Sequence, residues 1–146
     1  MLNFRSLVLA FAVAASACSH PDSPEDQIRK SLASMESAAE ERDVSEVMEW
    51  VSPEFRSSYG QHPDELRQYL VGFFIANQSI HLLTRINAID LRAPDEARVN
   101  VTVAMASREA DAADAWDLAA EVHDFAVTLR REDSDWKVIY LERGAR

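Results

Sequence analysis

The apolar residues of this chain change their spacing once, just after Asn77, and that change limits the possible folds more than any other feature. Before it they recur at helical intervals. Ile28, Leu32, Met35 and Ala39 fall at i, i+4, i+7 and i+11, one stripe on a helix of about four turns. Val44, Val47, Met48 and Val51 repeat the pattern over a shorter length, and Leu66, Tyr69, Leu70, Phe73 and Phe74 form a third stripe. After it the period falls to two. Val99, Val101, Val103 and Met105 alternate with Arg98, Asn100 and Thr102, as a half-buried antiparallel strand requires. Helices first and strands afterwards is an α+β order, with the helices packed on one face of an antiparallel sheet.

The boundaries follow from local chemistry. Ser23-Pro24-Glu25-Asp26 starts the first helix, with a hydroxyl at the N-cap, proline at N1 and acids in the first turn. Asp43 caps the second, and Ser52-Pro53 ends it because the residue before a proline is pushed out of the α region. Residues 53–62 read as a loop carrying Phe55 and Tyr59. The third helix begins near His62-Pro63 and runs to Asn77. Four strands follow: Ser79 to Leu91, Ala97 to Met105, 120–131 and Trp136 to Leu141, with a turn at Pro94-Asp95 and another at 132–135. Arg108 to Asp117 is acidic, rich in alanine and read as a loop. The last strand is apolar on both faces, Val138 and Tyr140 against Ile139 and Leu141, so it sits centrally or meets a partner.

Three features together resemble the nuclear transport factor 2-like superfamily, the cystatin-like α-β cone. They are the amphipathic helix Ile28–Ala39, the short Val44–Val51 helix leading into Pro53-Glu54-Phe55, and the closing Asp135-Trp136-Lys137-Val138 strand. The resemblance spans residues 24–142 and implies three helices covering the concave face of a curled sheet, with a conical pocket between them. Members such as ketosteroid isomerase, scytalone dehydratase and polyketide-cyclase-like enzymes use that pocket for chemistry, and others bind ligands or partners without catalysis. No catalytic motif of the family falls on these residues, so none is carried over.

The start of the chain is a separate problem. Arg5 precedes nine apolar residues, Leu7 to Ala15, and then Ser16-Ala17-Cys18. Nine are too few to span a bilayer, which takes about 20 in a helix, and the layout is that of a secretory signal. Ala15-Ser16-Ala17-Cys18 resembles the bacterial lipobox, whose cysteine carries a diacylglyceryl group and a further acyl chain such as palmitate. It also contains an ordinary A-x-A cleavage site, and both readings cut before Cys18. A signal over 1–17, a lipidated N-terminus and tether over 18–24, and one domain over 25–146 are therefore expected. The anchor would attach the protein to a membrane through Cys18. Ser19 after the cysteine is similar to lipoproteins sorted to the outer membrane, facing the periplasm. Removing residues 1–17 leaves 129 residues, with 14 basic residues against 25 acidic ones, a formal charge of −11. Such a surface repels phosphate backbones and argues against nucleic-acid partners.

Candidate chemistry is sparse. There is no glycine-rich phosphate loop, G-x-S-x-G elbow, H-E-x-x-H or C-x-x-C motif. Proton transfer needs a base in a dry pocket and a donor for the developing oxyanion. His123 alternates with Phe125 and Val127 and is the first candidate base; His81 is the second. Tyr59, Tyr69, Tyr140 and Trp116 could donate, and Asp90 and Asp124 are strand carboxylates, Asp124 alternating away from His123. A metal site from His81, His123 and a carboxylate has no supporting ligand spacing, and no cofactor is expected. Tyr69, Phe73, Phe74, Val101, Val103, Trp116 and Phe125 are expected to line the pocket. The leading functional expectation is a non-catalytic cone that binds a small apolar ligand or an envelope protein. The alternatives are a small isomerase, dehydratase or cyclase using a histidine or carboxylate in the cone, and a homodimeric structural module joined through the sheet.

Overall fold

The computed structural model describes residues 21–114 and 118–144. Helix α1 (Pro24–Glu40) begins where the sequence places it: the Ser23 hydroxyl accepts a hydrogen bond from the Asp26 N–H at 3.1 Å, and Pro24 occupies the first turn. Arg42, in the left-handed region at φ 58°, turns the chain. Its guanidinium donates to the Asn77 carbonyl at 3.1 Å, tying this corner to the end of the third helix. Asp43 then caps α2 (Val44–Glu49) by accepting from the Glu46 N–H at 3.0 Å.

The segment expected as a loop is largely a strand. β1 (Val51–Ser57) pairs in parallel with the last strand, Val51 opposite Val138 and Ser57 opposite Leu141. The register slips between Val51 and Arg56, where Pro53 lies, and β1 is an edge strand, the place in a sheet where a proline is tolerated. The predicted second helix is correspondingly shorter, because Val51 belongs to β1. Phe55, expected in a loop, is 1% exposed.

Helix α3 (Pro63–Ala76) leads without a break into β2 (Asn77–Ala93), which pairs with β3 (Glu96–Glu109), β4 (Ala119–Glu132) and β5 (Asp135–Arg143) in antiparallel succession. The sheet therefore has five strands, not four, in the order β1-β5-β4-β3-β2. The two-faced apolarity of β5 has its explanation here: the strand lies between β1 and β4. Its ladder with β4 also slips between Thr128 and Leu129, leaving Ile139 as the extra residue. That bulge turns both Val138 and Leu141 toward the helices, where strict alternation would separate them.

β2 is the other edge, and α1 covers it with charge. Glu40 accepts from the Leu82 N–H at 2.7 Å and Glu36 from the Thr84 N–H at 3.1 Å. Residues i and i+4 of a helix thus meet residues i and i+2 of a strand, and two outward-pointing N–H groups are satisfied without a further strand.

The apolar interior divides in two. The larger cluster gathers Ile28, Phe55, Val99, Val101, Leu129, Trp136 and Val138. The smaller holds Ala38, Val47, Phe74 and Ile80 near the start of β2. Met35 packs against both.

Candidate functional site

Between those clusters lies a cavity of about 260 Å³. Leu32, Met35 and Ala39 face it from α1, Leu66 and Leu70 from α3, and Val47 from α2. Alternation on the sheet supplies Val101 and Val103 from β3, Phe125 and Val127 from β4, and the bulge adds Val138 and Leu141 from β5. Fifteen of the seventeen lining residues are apolar; the exceptions are Glu36 and Thr84. The Glu36 carboxylate spends one oxygen on the Thr84 N–H, so the wall carries one ionisable group and one hydroxyl.

Of the residues expected to line a pocket, Val101, Val103 and Phe125 do so. Phe74 is buried in the smaller cluster and Phe73 packs against it, both beside the cavity rather than on its wall. Tyr69 is 57% exposed and stacks on Phe73, ring centroids 6.0 Å apart, on the outer side of α3. The inward-facing arc of α3 is narrower than its apolar stripe. Only its Leu66 and Leu70 edge meets the cavity. Trp116 and Cys18 lie outside the described residues, so neither the pocket role nor the lipid anchor is placed.

The candidate bases are also separated. His81 is exposed on β2, between the inward-facing Ile80 and Leu82, and so points away from the cone. Tyr59 is 73% exposed in the turn after β1. Tyr140 is half-buried on β5 beside the bulge, and Asp90 is an exposed partner of Arg92 at 2.7 Å. Asp124 accepts from the Thr102 hydroxyl at 2.7 Å, on the face opposite His123 as the alternation predicts. His123 does share the concave face with Phe125, its ring edge-on to that phenyl at 6.1 Å, but it is not part of the cavity wall. Its Nε2 lies 2.8 Å from a Glu121 oxygen and its Nδ1 2.6 Å from Arg143 Nη2. Among the described residues no group of three or more His, Cys, Asp or Glu side chains could hold a metal ion, and no helix is long and apolar enough to cross a membrane.

Sequence reasoning missed Glu36, although a signal was present. It lies four residues after Leu32 and one after Met35, so a carboxylate interrupts the apolar stripe of α1 on the side facing β2.

No protein-family model matches the chain, and no curated protein matches it in sequence. Solved structures do match in shape. A protein provisionally named a scytalone dehydratase, from Novosphingobium aromaticivorans, superposes with a TM-score of 0.72 at 15% identity over 80% of each chain. An NTF-2-like protein of unknown function from Shewanella oneidensis gives 0.64 at 15% identity, over 84% of this chain and 100% of the other. A ketosteroid isomerase-like protein from Erwinia carotovora gives 0.63 at 12% identity, over 82% and 95%. At such identities the likeness is one of fold, and that fold is the one the resemblance implied.

Proposed function

We propose that this chain, whose fold is the nuclear transport factor 2-like α-β cone, uses the cone to hold one small apolar ligand without transforming it. The observation that carries this reading is the wall itself: fifteen apolar residues around a gap of about 260 Å³. A dry apolar cavity of about 150 Å³ accepts benzene, so this one suits a body of roughly ten non-hydrogen atoms. Binding draws on area removed from water at about 25 cal/mol per Å², and the ligand itself brings no charge to desolvate. Naphthalene, with ten carbons, is the direct probe. Calorimetric titration is expected to give one site per chain and a negative heat-capacity change. Absence of saturable binding by both naphthalene and benzene would remove the reading.

The anchor expected at Cys18 fits this role, since apolar solutes concentrate at bilayers and a diacylated N-terminus holds a domain there stably. Intact-mass measurement of membrane-extracted protein is expected to exceed the mass of residues 18–146 by the acyl groups. A mass equal to the bare polypeptide would refute the anchor and leave the cavity untouched.

One observation favours a second reading, an enzyme of the proton-transfer kind. Glu36 is a half-buried carboxylate on an otherwise apolar wall, held in place by the Thr84 N–H and close to the Thr84 hydroxyl's own strand position. A base so placed can abstract a proton from an acidic C–H, a contribution of about 10²–10⁴ in rate. The probe is 2-indanone, a ten-atom ketone, in deuterated water. Under this reading the protein accelerates α-deuteration and Glu36→Gln abolishes the acceleration. No acceleration by the unaltered protein, with naphthalene still bound, would favour the non-catalytic reading.

A further inference from the structure

We infer that the cone's ligand is an amphiphile with a carboxylate head, and that Arg143 receives that head at the β5 side of the cavity. This inference rests on the apolar-ligand reading above and adds to it a head group and an orientation.

The sheet register carries the placement. Thr84, Val103 and His123 stand opposite one another across β2, β3 and β4; two residues deeper, Ile86, Val101, Phe125 and Arg143 form the next row across four strands. Directly opposed residues share a face. Val101 and Phe125 line the cavity, so Arg143, exposed and not itself on the wall, stands at its rim on the concave side. It also lies two residues beyond Leu141, another lining residue, on the same strand. The close of β5 is held firmly: the Gly144 N–H donates to the Asp124 carbonyl at 2.7 Å, and a Cβ at 144 would come within 3.1 Å of that oxygen. Glycine permits the approach, and Arg143 is set against β4 by it.

The hydrogen bonds of Arg143 among the described residues give the sign of the group that it can take. Arg143 Nη2 lies 2.6 Å from His123 Nδ1 and 3.3 Å from its Nε2, and a guanidinium only donates, so Nδ1 accepts in the shorter contact. The remaining ring N–H donates to Glu121. A guanidinium has five N–H donors, and among the described residues this one meets an imidazole rather than a carboxylate. The planar array of guanidinium donors matches the fork of a carboxylate. Glu121 is one row further from the cavity, opposite Met105. Glu36, on the opposite wall beside Thr84, repels an anion and so directs the head toward β5 and the apolar body across the gap. The net acidity of the chain matters little at 0.15 M salt, where charges beyond about 8 Å are screened.

The experiment compares three ligands with one body in 0.15 M salt: 2-naphthoate, the neutral isostere 2-naphthamide, and 2-naphthylmethylammonium. Affinities are measured by calorimetry for the unaltered chain, Arg143→Gln and Arg143→Lys. The expected order is naphthoate at least tenfold tighter than naphthamide, with the ammonium weakest. Arg143→Gln is expected to remove that preference while naphthamide stays within twofold, and Arg143→Lys to restore part of it. Equal affinity for naphthoate and naphthamide, or a preference that survives Arg143→Gln, would overturn the head-group assignment and leave the apolar-ligand reading standing. Failure of naphthamide and naphthalene alike would overturn that reading, and this one with it.

Discussion

Trp136→Ala is expected to destabilise the domain by about 3–5 kcal/mol, the range for removing a large buried aromatic and leaving a hole behind. Trp136 is 1% exposed and packs in the larger cluster with Ile28, Val99 and Leu129. Two polar contacts fix its orientation. Its indole N–H donates to the Gln27 side-chain oxygen at 3.2 Å, and the Arg131 guanidinium lies 5.3 Å from the ring centroid. Gln27 takes a second bond from Arg131 at 3.0 Å, so α1, β4 and β5 are joined at one point. Losing the indole removes apolar area from that junction and deprives Arg131 of the ring beneath it. Domains of this kind hold together by about 5–15 kcal/mol, so the loss is a large fraction of the total. With an m-value of about 2 kcal/mol/M, the urea midpoint should fall by roughly 2 M, followed by far-UV circular dichroism. Trp136→Phe keeps most of the volume and should cost about half as much or less. A loss under 1.5 kcal/mol for the alanine variant would show that this junction is not where the core is strongest.

Much of this arrangement is legible in the sequence because it is local. The caps at Ser23 and Asp43 need only neighbouring residues, and both form as read. The alternation of Val99, Val101 and Val103, and of Phe125, Val127 and Leu129, places each residue on the face it occupies, since a strand's side chains have no other choice. What failed was non-local. β1 has a proline two residues after its start and pairs in parallel with β5, more than eighty residues away, so nothing nearby marks it as a strand. Its buried Phe55 and Ser57 become intelligible only once β5 is beside them. The bulge at Ile139 is likewise invisible to a period-two reading, yet it decides that Leu141 and Arg143 face the cone. Helix α3 shows a third limit. Its stripe identifies an apolar arc but not how much of that arc finds a partner, and Ile75 and Tyr69 remain 73% and 57% exposed. Period-two alternation places His123 on the face of Phe125, but periodicity carries no information on where the cavity ends, which is short of that ring.

Ala39→Leu tests whether the space between the two clusters is real, because it fills that space from a position that costs the helix almost nothing. Ala39 faces the gap from α1, next to the fully buried Ala38. Leucine is nearly as good a helix former as alanine, so the propensity penalty is about 0.2 kcal/mol. Three added carbons buried at about 0.8 kcal/mol each give some 2.4 kcal/mol, from which about 0.5–1 kcal/mol of side-chain entropy is lost. The net expectation is a gain of about 1 kcal/mol, within the usual range for cavity filling. Binding should move the other way and by size. A gap suited to roughly ten non-hydrogen atoms, scaled from the 150 Å³ that accepts benzene, keeps room for about seven. Naphthalene affinity should therefore fall at least tenfold while benzene affinity stays within about threefold. The two readouts check each other, since a destabilised variant would lose both ligands together. A stability loss of more than 1 kcal/mol would mean that Met35, Leu70 and Leu82 already occupy the gap, and that the cone is packed rather than open.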